Sequence, residues 1–309
     1  MKKVLVTGAA GSVGILVIKF LLSEGKYEIT ALDLKNKKTQ KALKKYQKRI
    51  NVVYGDINDR VLIEALVRDH DYIIHLAGVM PPLGEFSKKI GEIIDYSGTE
   101  NLIKAINYYN NNCFLIYAST TSMYDESLSA HKDEKIKVDN LTNYSLNKYN
   151  TEILIKKKLR NYCILRLPMI LNNFKNEPFM LNIKKNSIVE VSTNYDVAYA
   201  FVKSLNYKKE LNKKIFNVGM GNEGQVKYDN ILKKLLNNYG ISLKYILSRV
   251  FLDKNYLSPV LLDSDELENI IHYRNDSLYN YFNRLKRRGN KRKLQIFLAK
   301  PIVWLKSKE

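Results

Sequence analysis

Three glycines close to the amino terminus constrain the fold of this chain more than any other feature. In the stretch TGAAGSVG, Gly8, Gly11 and Gly14 follow a short apolar run and open a segment with helical periodicity. Glycine permits a tight turn and lets backbone N–H groups approach a pyrophosphate, and a helix amino terminus adds partial positive charge. Glycines at this spacing are weak evidence alone, but a strand before them and a helix after them predict a dinucleotide-binding βαβ unit.

A carboxylate follows this unit at the end of the second predicted strand. Asp33 stands where it can accept hydrogen bonds from the ribose hydroxyls of an adenine dinucleotide, and its charge would repel a 2′-phosphate. This predicts NAD as the cofactor in preference to NADP. Lys35, Lys37 and Lys38 follow closely and weaken that repulsion, so the strictness of the preference stays open.

Strand-like and helical patterns alternate through the chain as far as Leu167. Strands are predicted over residues 3–7, 27–33, 50–54, 72–76, 113–118 and 163–167, and helices over 11–24, 60–67, 91–109 and 144–159. Alternation on this scale is typical of right-handed crossovers and of a parallel sheet that is covered on both faces. The predicted fold class is therefore α/β: a doubly wound parallel Rossmann sheet with a second, smaller, partly helical substrate lobe.

The pattern changes after Pro168. A loop-rich stretch leads to a predicted strand over 188–191, a helix over 195–206 and a strand over 215–218, and the remainder reads as helical and irregular. We predict an NAD-binding Rossmann domain over residues 1–167, to which residues 193–218 return. The substrate lobe is assigned to residues 168–192 and 219–283, and a basic and apolar carboxyl-terminal tail to residues 284–309.

The glycine turn with Thr7 matches the TGxxGxxG fingerprint of the extended short-chain dehydrogenase/reductase family. The chain resembles the NAD-dependent epimerase/dehydratase branch, with its UDP-glucose 4-epimerase-like proteins. The GDI stretch at 55–57 resembles the family's adenine-contacting segment, and HLAG at 75–78 resembles its loop beside the cofactor; the family usually has Asn where this chain has Asp95. The resemblance implies cofactor contacts from Thr7, Gly8, Gly11, Ser12, Val13, Gly14, Asp33, Asp56, Ile57, Leu76, Ala77, Gly78, Tyr144 and Lys148.

Tyr144 and Lys148 stand one helical turn apart at the start of a predicted helix, so both side chains lie on one face. With Thr120, which ends the fifth apolar run, they resemble the catalytic Ser/Thr, Tyr and Lys of the family. Lowering the pKa of a tyrosine from about 10 to about 7 takes about 4 kcal/mol, which one cation about 4 Å away supplies at an effective dielectric constant near 20. Tyr144 can then act as a general base, while Thr120 holds the substrate oxygen. The alternative is a chance pairing, since the chain has 22 tyrosines.

Further landmarks bear on the reaction. Arg166 within ILRLP, the DVA stretch at 196–198 and the FNVG stretch at 216–219 resemble the branch and imply a sugar-like, often nucleotide-linked substrate that is oxidised transiently. We therefore favour epimerisation. Two alternatives stay open: a simple NAD(P)-dependent dehydrogenase/reductase of a smaller alcohol or ketone, and a catalytically inactive NAD-binding scaffold protein.

Two departures from the branch narrow this prediction. Similar 4,6-dehydratases carry Asp-Glu just after the catalytic Thr, where this chain has Thr121-Ser122. Water elimination needs an acid and a base at neighbouring carbons, so dehydration is disfavoured. The short segment between Met169 and Asp196 indicates a reduced substrate lobe.

Composition limits the partners and the setting. The formal net charge is +20, but the lysines are spread along the chain and accompany abundant Asn, Ile and Tyr, so nucleic-acid binding is not favoured. The start lacks the apolar run of a signal peptide and no run of about 20 apolar residues occurs, so we expect a cytoplasmic protein. Cys113 and Cys163 are expected to be buried free thiols. The histidines form no spaced cluster with the cysteines, and no metal site is predicted.

The tail combines a basic run, RLKRRGNKRK at 284–293, with an apolar stretch that contains Trp304. Such a segment suits either peripheral contact with the inner membrane surface or packing on the second lobe with its charges solvated. Pro301 and the shortness of the stretch argue against a span. The family resemblance also implies a homodimer that forms through the helices holding Gly98 and Tyr144.

Overall fold

The computed structural model describes residues 1–80, 87–124, 129–172, 186–238 and 259–289. Its strands are β1 (Lys2–Thr7), β2 (Tyr27–Asp33), β3 (Asn51–Tyr54), β4 (Tyr72–His75), β5 (Phe114–Thr120), β6 (Ser129–Ala130), β7 (Tyr162–Leu167), β8 (Met169–Leu171), β9 (Ile188–Thr193), β10 (Lys214–Asn217), β11 (Gln225–Lys227) and β12 (Val260–Leu261). Its α-helices are α1 (Gly14–Glu24), α2 (Lys37–Leu43), α3 (Arg60–Arg68), α4 (Lys88–Gly91), α5 (Gly98–Tyr109), α6 (Asn143–Lys158), α7 (Asn194–Ser204), α8 (Lys208–Leu211), α9 (Tyr228–Asn238), α10 (Asp265–Ile271) and α11 (Leu278–Gly289). A π-helical segment, Glu92–Ser97, joins α4 to α5, and a 3₁₀ helix, Thr121–Tyr124, follows β5.

Seven strands form one parallel sheet in the order β10-β7-β5-β4-β1-β2-β3. The chain builds outward from β1, first through β2 and β3 on one side and then through β4, β5, β7 and β10 on the other. The strand order reverses between β1 and β4, which is where open α/β sheets bind ligands at the carboxyl ends of their strands. The predicted fold class, a doubly wound parallel sheet, is confirmed.

Alternate residues of each central strand enter two separate hydrophobic cores. In β1, Val4 and Val6 face the core that contains α1 and α7, whereas Leu5 faces the core that contains α3, α5 and α6. Ile74 and Ile73 of β4 divide between the two cores in the same way. Because both faces are buried, these strands read as continuous apolar runs, and the sequence predicts their positions closely.

Helix boundaries depart from the prediction where local capping decides them. α1 begins at Gly14, not at residue 11, because residues 11–13 belong to the turn, and it ends at Gly25 with a left-handed φ of 68°. α2 is absent from the predicted elements. The Asn36 side chain accepts hydrogen bonds from the backbone N–H groups of Lys38 and Thr39 and thereby starts this lysine-rich helix.

A third hydrophobic cluster lies outside the main sheet. β8, β9 and β11 form a three-stranded sheet, which packs with α9 and α11. β6 pairs with β12 in a separate two-stranded ladder. β11 and β12 lie in the part predicted as helical and irregular, and that prediction is wrong for them because strands this short carry no periodic signal. The members of the cluster include Met169, Leu171, Val189, Val191, Tyr228, Ile231, Leu232, Leu235, Tyr281 and Leu285.

Other expectations concern the whole chain. Cys113 and Cys163 are buried free thiols, as predicted. Within the described ranges, no helix is both long and apolar enough to cross a bilayer. α11 contains the first residues of the predicted basic tail. Residues 290–309 of that tail and residues 173–185 and 239–258 of the predicted substrate lobe lie outside the described residues.

Candidate active site

Two positions of the glycine turn, Gly8 and Gly14, have no room for a side chain. Gly8 has a left-handed φ of 65°, and a Cβ there would lie 2.7 Å from the backbone nitrogen of Ala77. A Cβ on Gly14 would lie 2.5 Å from the carbonyl oxygen of Gly8. Val13 gives α1 no side-chain cap. The turn therefore packs directly on the loop after β4 and leaves the start of α1 suited to an anion.

The carboxylate of Asp33 is bonded to the same turn. Its Oδ2 accepts a hydrogen bond from the backbone N–H of Ala10 at 2.8 Å, and its Oδ1 accepts one from Leu34 at 2.8 Å. A carboxylate offers about four acceptor positions, so these two bonds orient Asp33 without exhausting it. Asp33 thus lies at the end of β2, beside the glycine turn, as the sequence predicts for a ribose-binding acid.

Thr7 supports the site from inside the sheet. It is fully buried, and its hydroxyl lies 2.7 Å from Nδ1 of His75 and accepts a hydrogen bond from Ala77 N at 3.2 Å. Nε2 of His75 lies 2.9 Å from the Thr99 hydroxyl, which donates to the carbonyl of Asp95. Nε2 must then carry the proton, and burial lowers the pKa of His75 to about 3. Thr7 and the neutral His75 therefore position the loop after β4 instead of facing a ligand.

The two predicted contacts after β3 divide between surface and core. Asp56 is exposed, and its Oδ1 accepts hydrogen bonds from the Asn58 backbone at 2.9 Å and from the Asn58 side chain at 3.1 Å. Ile57 is buried, and its Cγ2 would lie 2.5 Å from a Cβ on Gly98. Ile57 thus packs against the start of α5. Asp56 lies at the carboxyl end of β3, next to the end of β2, where the backbone N–H of Gly55 donates to the carbonyl of Asp33 at 3.0 Å.

Tyr144 and Lys148 lie one turn apart on α6, and both are buried. The Lys148 ammonium lies 3.2 Å from Oδ1 of Asp95, donates to the carbonyl of Ala118 at 3.2 Å, and sits 4.9 Å from the centre of the Tyr117 ring. Burial opposes its charge, but the nearby carboxylate outweighs this effect and raises the pKa of Lys148. Lys148 is therefore a fixed, buried cation beside Tyr144.

The loop after β4 connects this pair to the glycine turn. A Cβ on Gly78 would lie 2.5 Å from Oδ1 of Asp95 and 3.0 Å from Nζ of Lys148. The same loop meets Gly8 at Leu76 and Ala77. Beyond Gly78, Sδ of Met80 lies 3.6 Å from the hydroxyl of Tyr144. Residues 76–78 therefore bridge the predicted cofactor turn and the predicted catalytic pair.

Thr120 joins a chain of hydroxyl groups that the sequence analysis did not predict. Its Oγ1 lies 2.9 Å from Oγ of Ser122, which lies 2.9 Å from Oγ of Ser145. Thr142 caps α6 and donates to Ser145 at 3.2 Å. These serines are adjacent to predicted residues in sequence, but their contact depends on how the 3₁₀ helix after β5 folds against α6. Thr120 is buried at the end of β5, as predicted.

A buried polar network joins α6 to the strand ends. Arg166 makes two hydrogen bonds to Glu152 of α6 and donates to the Tyr124 hydroxyl at 2.8 Å. Tyr124 donates to Asn217 at 2.6 Å, and Asn217 donates to Asp263 at 2.8 Å. Burial raises the pKa of Tyr124 to about 12. Arg166 and Asn217, noticed as family landmarks, thus act together in holding α6, β7 and β10.

One group of possible metal ligands occurs in the described part of the chain, although none is predicted. Ligand atoms of His131, Asp263 and Glu266 lie within 4.8 Å of one another. However, the Lys132 ammonium is paired with Glu266, and the Lys132 backbone donates to Asp263 at 2.9 Å. An ammonium at this position competes with a cation, so we assign the group to an ion-pair network.

The fold and the site agree with the comparison to known families. The sequence pattern described as the NAD dependent epimerase/dehydratase family matches residues 4–183, which is more than half of the chain. The chain belongs to this family. The match covers every predicted cofactor and catalytic residue, and it confirms the predicted family and its dependence on NAD.

Individual curated relatives match only part of the chain, at low sequence identity. The CDP-paratose 2-epimerase of Salmonella typhi is 31% identical over 129 residues, which cover 40% of this chain and 38% of that protein. The UDP-glucose 4-epimerase of Yersinia enterocolitica is 27% identical over 175 residues, covering 50% of this chain and 47% of that protein. The chain thus spans about two fifths to one half of the length of the first curated relatives that it matches.

Solved structures of the epimerase/dehydratase family share the fold. A UDP-glucuronic acid 4-epimerase variant from Bacillus cereus, in complex with UDP-4-deoxy-4-fluoro-glucuronic acid and NAD, superposes with a TM-score of 0.76 at 19% identity, covering 94% of this chain and 99% of that one. The dTDP-glucose 4,6-dehydratase of Streptomyces venezuelae also gives a TM-score of 0.76, at 17% identity, covering 92% and 96%. At such identities these likenesses establish the architecture alone.

Proposed function

We propose that the chain catalyses epimerisation at a hydroxyl-bearing carbon of a nucleotide-linked sugar, with NAD as cofactor and Tyr144 as the base. The observation that carries this proposal is that one loop contacts both parts of the site. The backbone of residues 76–77 packs against Gly8, and Gly78 packs against Lys148. These contacts bring the dinucleotide turn and the Tyr-Lys pair into one site. An adenine dinucleotide lying on the turn would thereby present its other end near Tyr144.

The residues at the turn fit NAD. Gly8 and Gly14 allow the tight turn that precedes the start of α1, where a pyrophosphate can be held, and Asp33 is oriented to accept from ribose hydroxyls. The further holding residues are proposed to be Gly11, Ser12, Val13, Asp56, Ile57, Leu76, Ala77 and Gly78, with Thr7 acting through the loop after β4. When bound, NAD supplies a hydride acceptor and, once reduced, a hydride donor at its nicotinamide ring.

The chain's own residues handle the proton. Tyr144 takes the proton of the substrate hydroxyl, and the Lys148 ammonium stabilises the resulting phenolate. Thr120 holds the substrate oxygen through its hydroxyl, whose orientation Ser122 and Ser145 fix. In the second half of the reaction Tyr144 returns the proton to the substrate oxygen as the alcohol re-forms with inverted configuration. Because the hydride taken in the first half would also be returned, the reaction has no net change in redox state.

The names of relatives and the chemistry around Thr120 support this choice of reaction. The relatives include epimerases of CDP- and UDP-linked sugars. After Thr120 the chain has Thr121 and Ser122, both buried, where a 4,6-dehydratase needs an acid and a base. We therefore favour epimerisation over dehydration, although both activities occur on this fold.

The proposal is tested on purified full-length protein. The protein is expected to retain NAD or to bind it, and UDP-glucose, UDP-glucuronic acid or a CDP-linked sugar is expected to raise its Tm and to be epimerised, as followed by NMR. Tyr144→Phe is expected to lower turnover by about 10²–10⁴-fold without lowering NAD affinity. Tyr149→Phe, on the same helix, serves as the control and is expected to keep full turnover.

Other outcomes select the alternatives. Steady release of NADH with a substrate alcohol would reject epimerisation and support a simple dehydrogenase. Full function of Tyr144→Phe would leave only a cofactor-binding scaffold.

The proposal also assigns cofactor binding and substrate binding to different parts of the chain. Residues 1–167 with 193–218 are proposed to bind the cofactor, and residues 168–192 with 219–283 to bind the substrate. The separate hydrophobic cluster formed by β8, β9, α9 and α11 supports this division. Chimeras that exchange residues 219–283 with those of a related epimerase are expected to change substrate preference and to leave NAD affinity unchanged.

Self-association is proposed through α5 and α6. Three large apolar side chains are exposed there and on the preceding π-helical segment: Ile93, Tyr108 and Ile153. Ile153→Glu is expected to shift a dimer toward monomer in sedimentation experiments.

Peripheral membrane contact through residues 284–309 is a separate proposal; it predicts that the full chain binds anionic vesicles more tightly than a chain ending at Gly289.

A further inference from the structure

A buried carboxylate faces the ammonium of the proposed catalytic lysine. Oδ1 of Asp95 lies 3.2 Å from Nζ of Lys148, and the two side chains are 1% and 6% exposed. Asp95 lies in the π-helical segment Glu92–Ser97, a type of segment that often marks a functional site. The contact is an ion pair without hydrogen-bond geometry, since Oδ1 has no hydrogen-bond partner in the described part of the chain.

Backbone contacts hold the carboxylate in this position. Val79 N donates to Oδ2 at 3.4 Å, and the Thr99 hydroxyl donates to the Asp95 carbonyl. Gly78 leaves the space that the pair occupies, because a Cβ there would contact both Asp95 and Lys148. Asp95 is thus fixed by the loop and the helix that border the proposed cofactor site.

Other groups around Lys148 bring little charge of their own. From β5, Tyr117 is buried and its pKa is raised, so it is neutral. From β4, His75 is neutral because burial lowers its pKa to about 3. From α6, Glu152 is neutralised by Arg166. Among the described residues, Asp95 therefore supplies the one carboxylate within ion-pair distance of Lys148.

An unpaired ammonium beside Tyr144 would favour the phenolate strongly, because an opposite charge nearby stabilises the ionised form. A carboxylate at ion-pair distance from that ammonium offsets part of this effect. We propose that Asp95 is a positioning residue that fixes the Lys148 ammonium and keeps Tyr144 protonated to a higher pH than Lys148 alone would allow. This inference rests on the proposed function, because it assigns Asp95 a role in the proton transfer by Tyr144.

Asp95 thereby serves the return half of the reaction. Tyr144 must first accept a proton from the substrate and later give it back, so its acidity has to allow both directions near the working pH. Compared with the uncharged Asn that the family usually has here, a carboxylate beside the lysine shifts the acidity of Tyr144 toward the return direction. The Asp95–Lys148 pair balances the two.

The inference is tested by titrating Tyr144 directly, which requires no substrate. Protein with tyrosine labelled at Cζ with carbon-13 is followed by NMR against pH, and the signal missing from Tyr144→Phe is that of Tyr144. Asp95→Asn is expected to lower the pKa of Tyr144 by about 1. Glu92→Gln, an exposed carboxylate in the same π-helical segment, is expected to leave it unchanged.

The outcomes separate this inference from the proposed function. An unchanged pKa of Tyr144 in Asp95→Asn overturns the role of Asp95, even if Tyr144→Phe remains inactive. Loss of turnover in Asp95→Asn with an unchanged pKa likewise assigns Asp95 a merely structural role. Full turnover of Tyr144→Phe instead overturns the proposed function. If Asp95→Asn does not fold, Asp95→Ser is titrated, because it removes the same charge.

Discussion

The guanidinium of Arg166 and the carboxylate of Glu152 form a doubly hydrogen-bonded ion pair inside the protein, with Nε 2.9 Å from Oε1 and Nη2 2.7 Å from Oε2. Both side chains are almost fully buried. Glu152 lies on α6, the helix of Tyr144 and Lys148, while Arg166 lies on β7. The pair therefore fixes the proposed catalytic helix against the sheet, and Ser119 of β5 adds a hydrogen bond to Glu152 at 2.5 Å.

Removing one partner of this pair is expected to be costly. Glu152→Gln leaves the Arg166 charge buried without a counter-charge, and we expect the free energy of unfolding to fall by about 3 kcal/mol, as measured by urea denaturation. Glu100→Gln, which breaks the exposed Lys104–Glu100 pair of α5, is the control and should change stability little. Equal effects of the two substitutions would contradict a special role of the buried pair.

Two of the three left-handed glycines in the described part of the chain, Gly8 and Gly25, allow backbone strain to be separated from close packing. Gly8 and Gly25 have φ values of 65° and 68°, but a Cβ would meet backbone atoms only at Gly8, and nothing within 4 Å at Gly25. Gly25→Ala is expected to cost about 1–2 kcal/mol and to leave NAD affinity intact. Gly8→Ala should cost more and abolish NAD binding, as measured by calorimetry. Tight NAD binding by folded Gly8→Ala would contradict the proposed turn.

Asp33 is expected to determine the choice between NAD and NADP. Asp33→Asn keeps an acceptor for the Ala10 backbone but removes the charge that repels a 2′-phosphate, so the affinity ratio of NADP to NAD should rise by about tenfold, or about 1.4 kcal/mol. Glu28→Gln, exposed near the other end of β2, is the control. An unchanged ratio measured by fluorescence titration would place the discriminating charge elsewhere.

Asp196 is expected to make stability depend on pH. Burial raises its pKa from 3.8 to about 7, so the folded chain binds this proton more tightly than the unfolded chain. Its stabilising contribution is complete below about pH 4 and is lost as the pH rises through about 7, at up to about 1.4 kcal/mol per pH unit. In Asp196→Asn the slope of unfolding free energy over this window should decrease.

Two neighbouring features affect what the Asp196→Asn variant will show. Glu190, whose pKa burial raises to about 7, keeps a residual slope in the variant. The amide oxygen of the Asn side chain can still accept the bonds that Oδ1 receives from the backbone of Asn275 and Asp276, each at 2.9 Å. Denaturation across the pH window measures the slope. A variant with the slope of the native chain would show that Asp196 does not titrate there.

The main sheet could be predicted because burial on both faces leaves a continuous signal. Each central strand, such as β5, sends neighbouring residues into two cores, so its whole length is apolar. The short strands β11 and β12 lack such a signal. α2 was not predicted, because its many lysines obscure the amphipathic pattern, although Asn36 and Thr39 form a recognisable cap.

In the site, too, contacts within one element could be predicted from the sequence, whereas contacts between elements could not. Tyr144 and Lys148 face one direction because of helical spacing, which the sequence contains. The ion pair of Lys148 with Asp95 joins different elements and could not be read from spacing; the one available signal was Asp in place of the family's usual Asn. The contact between Ser122 and Ser145 likewise depends on the packing of two elements. Thr7 was assigned to the cofactor, but the fold turns its hydroxyl toward His75.

The position of β10 has a consequence for synthesis on the ribosome. This edge strand is the last of the seven in sequence, and it covers β7 along Cys163–Arg166. A nascent chain emerges from its amino terminus, so the glycine turn and Tyr144 exist before Lys214–Asn217 can pair. Until then, β7 presents unpaired backbone groups to other chains. Ribosomes stalled ahead of residue 214 would therefore expose an aggregation-prone edge along β7, which β10 covers in the folded protein.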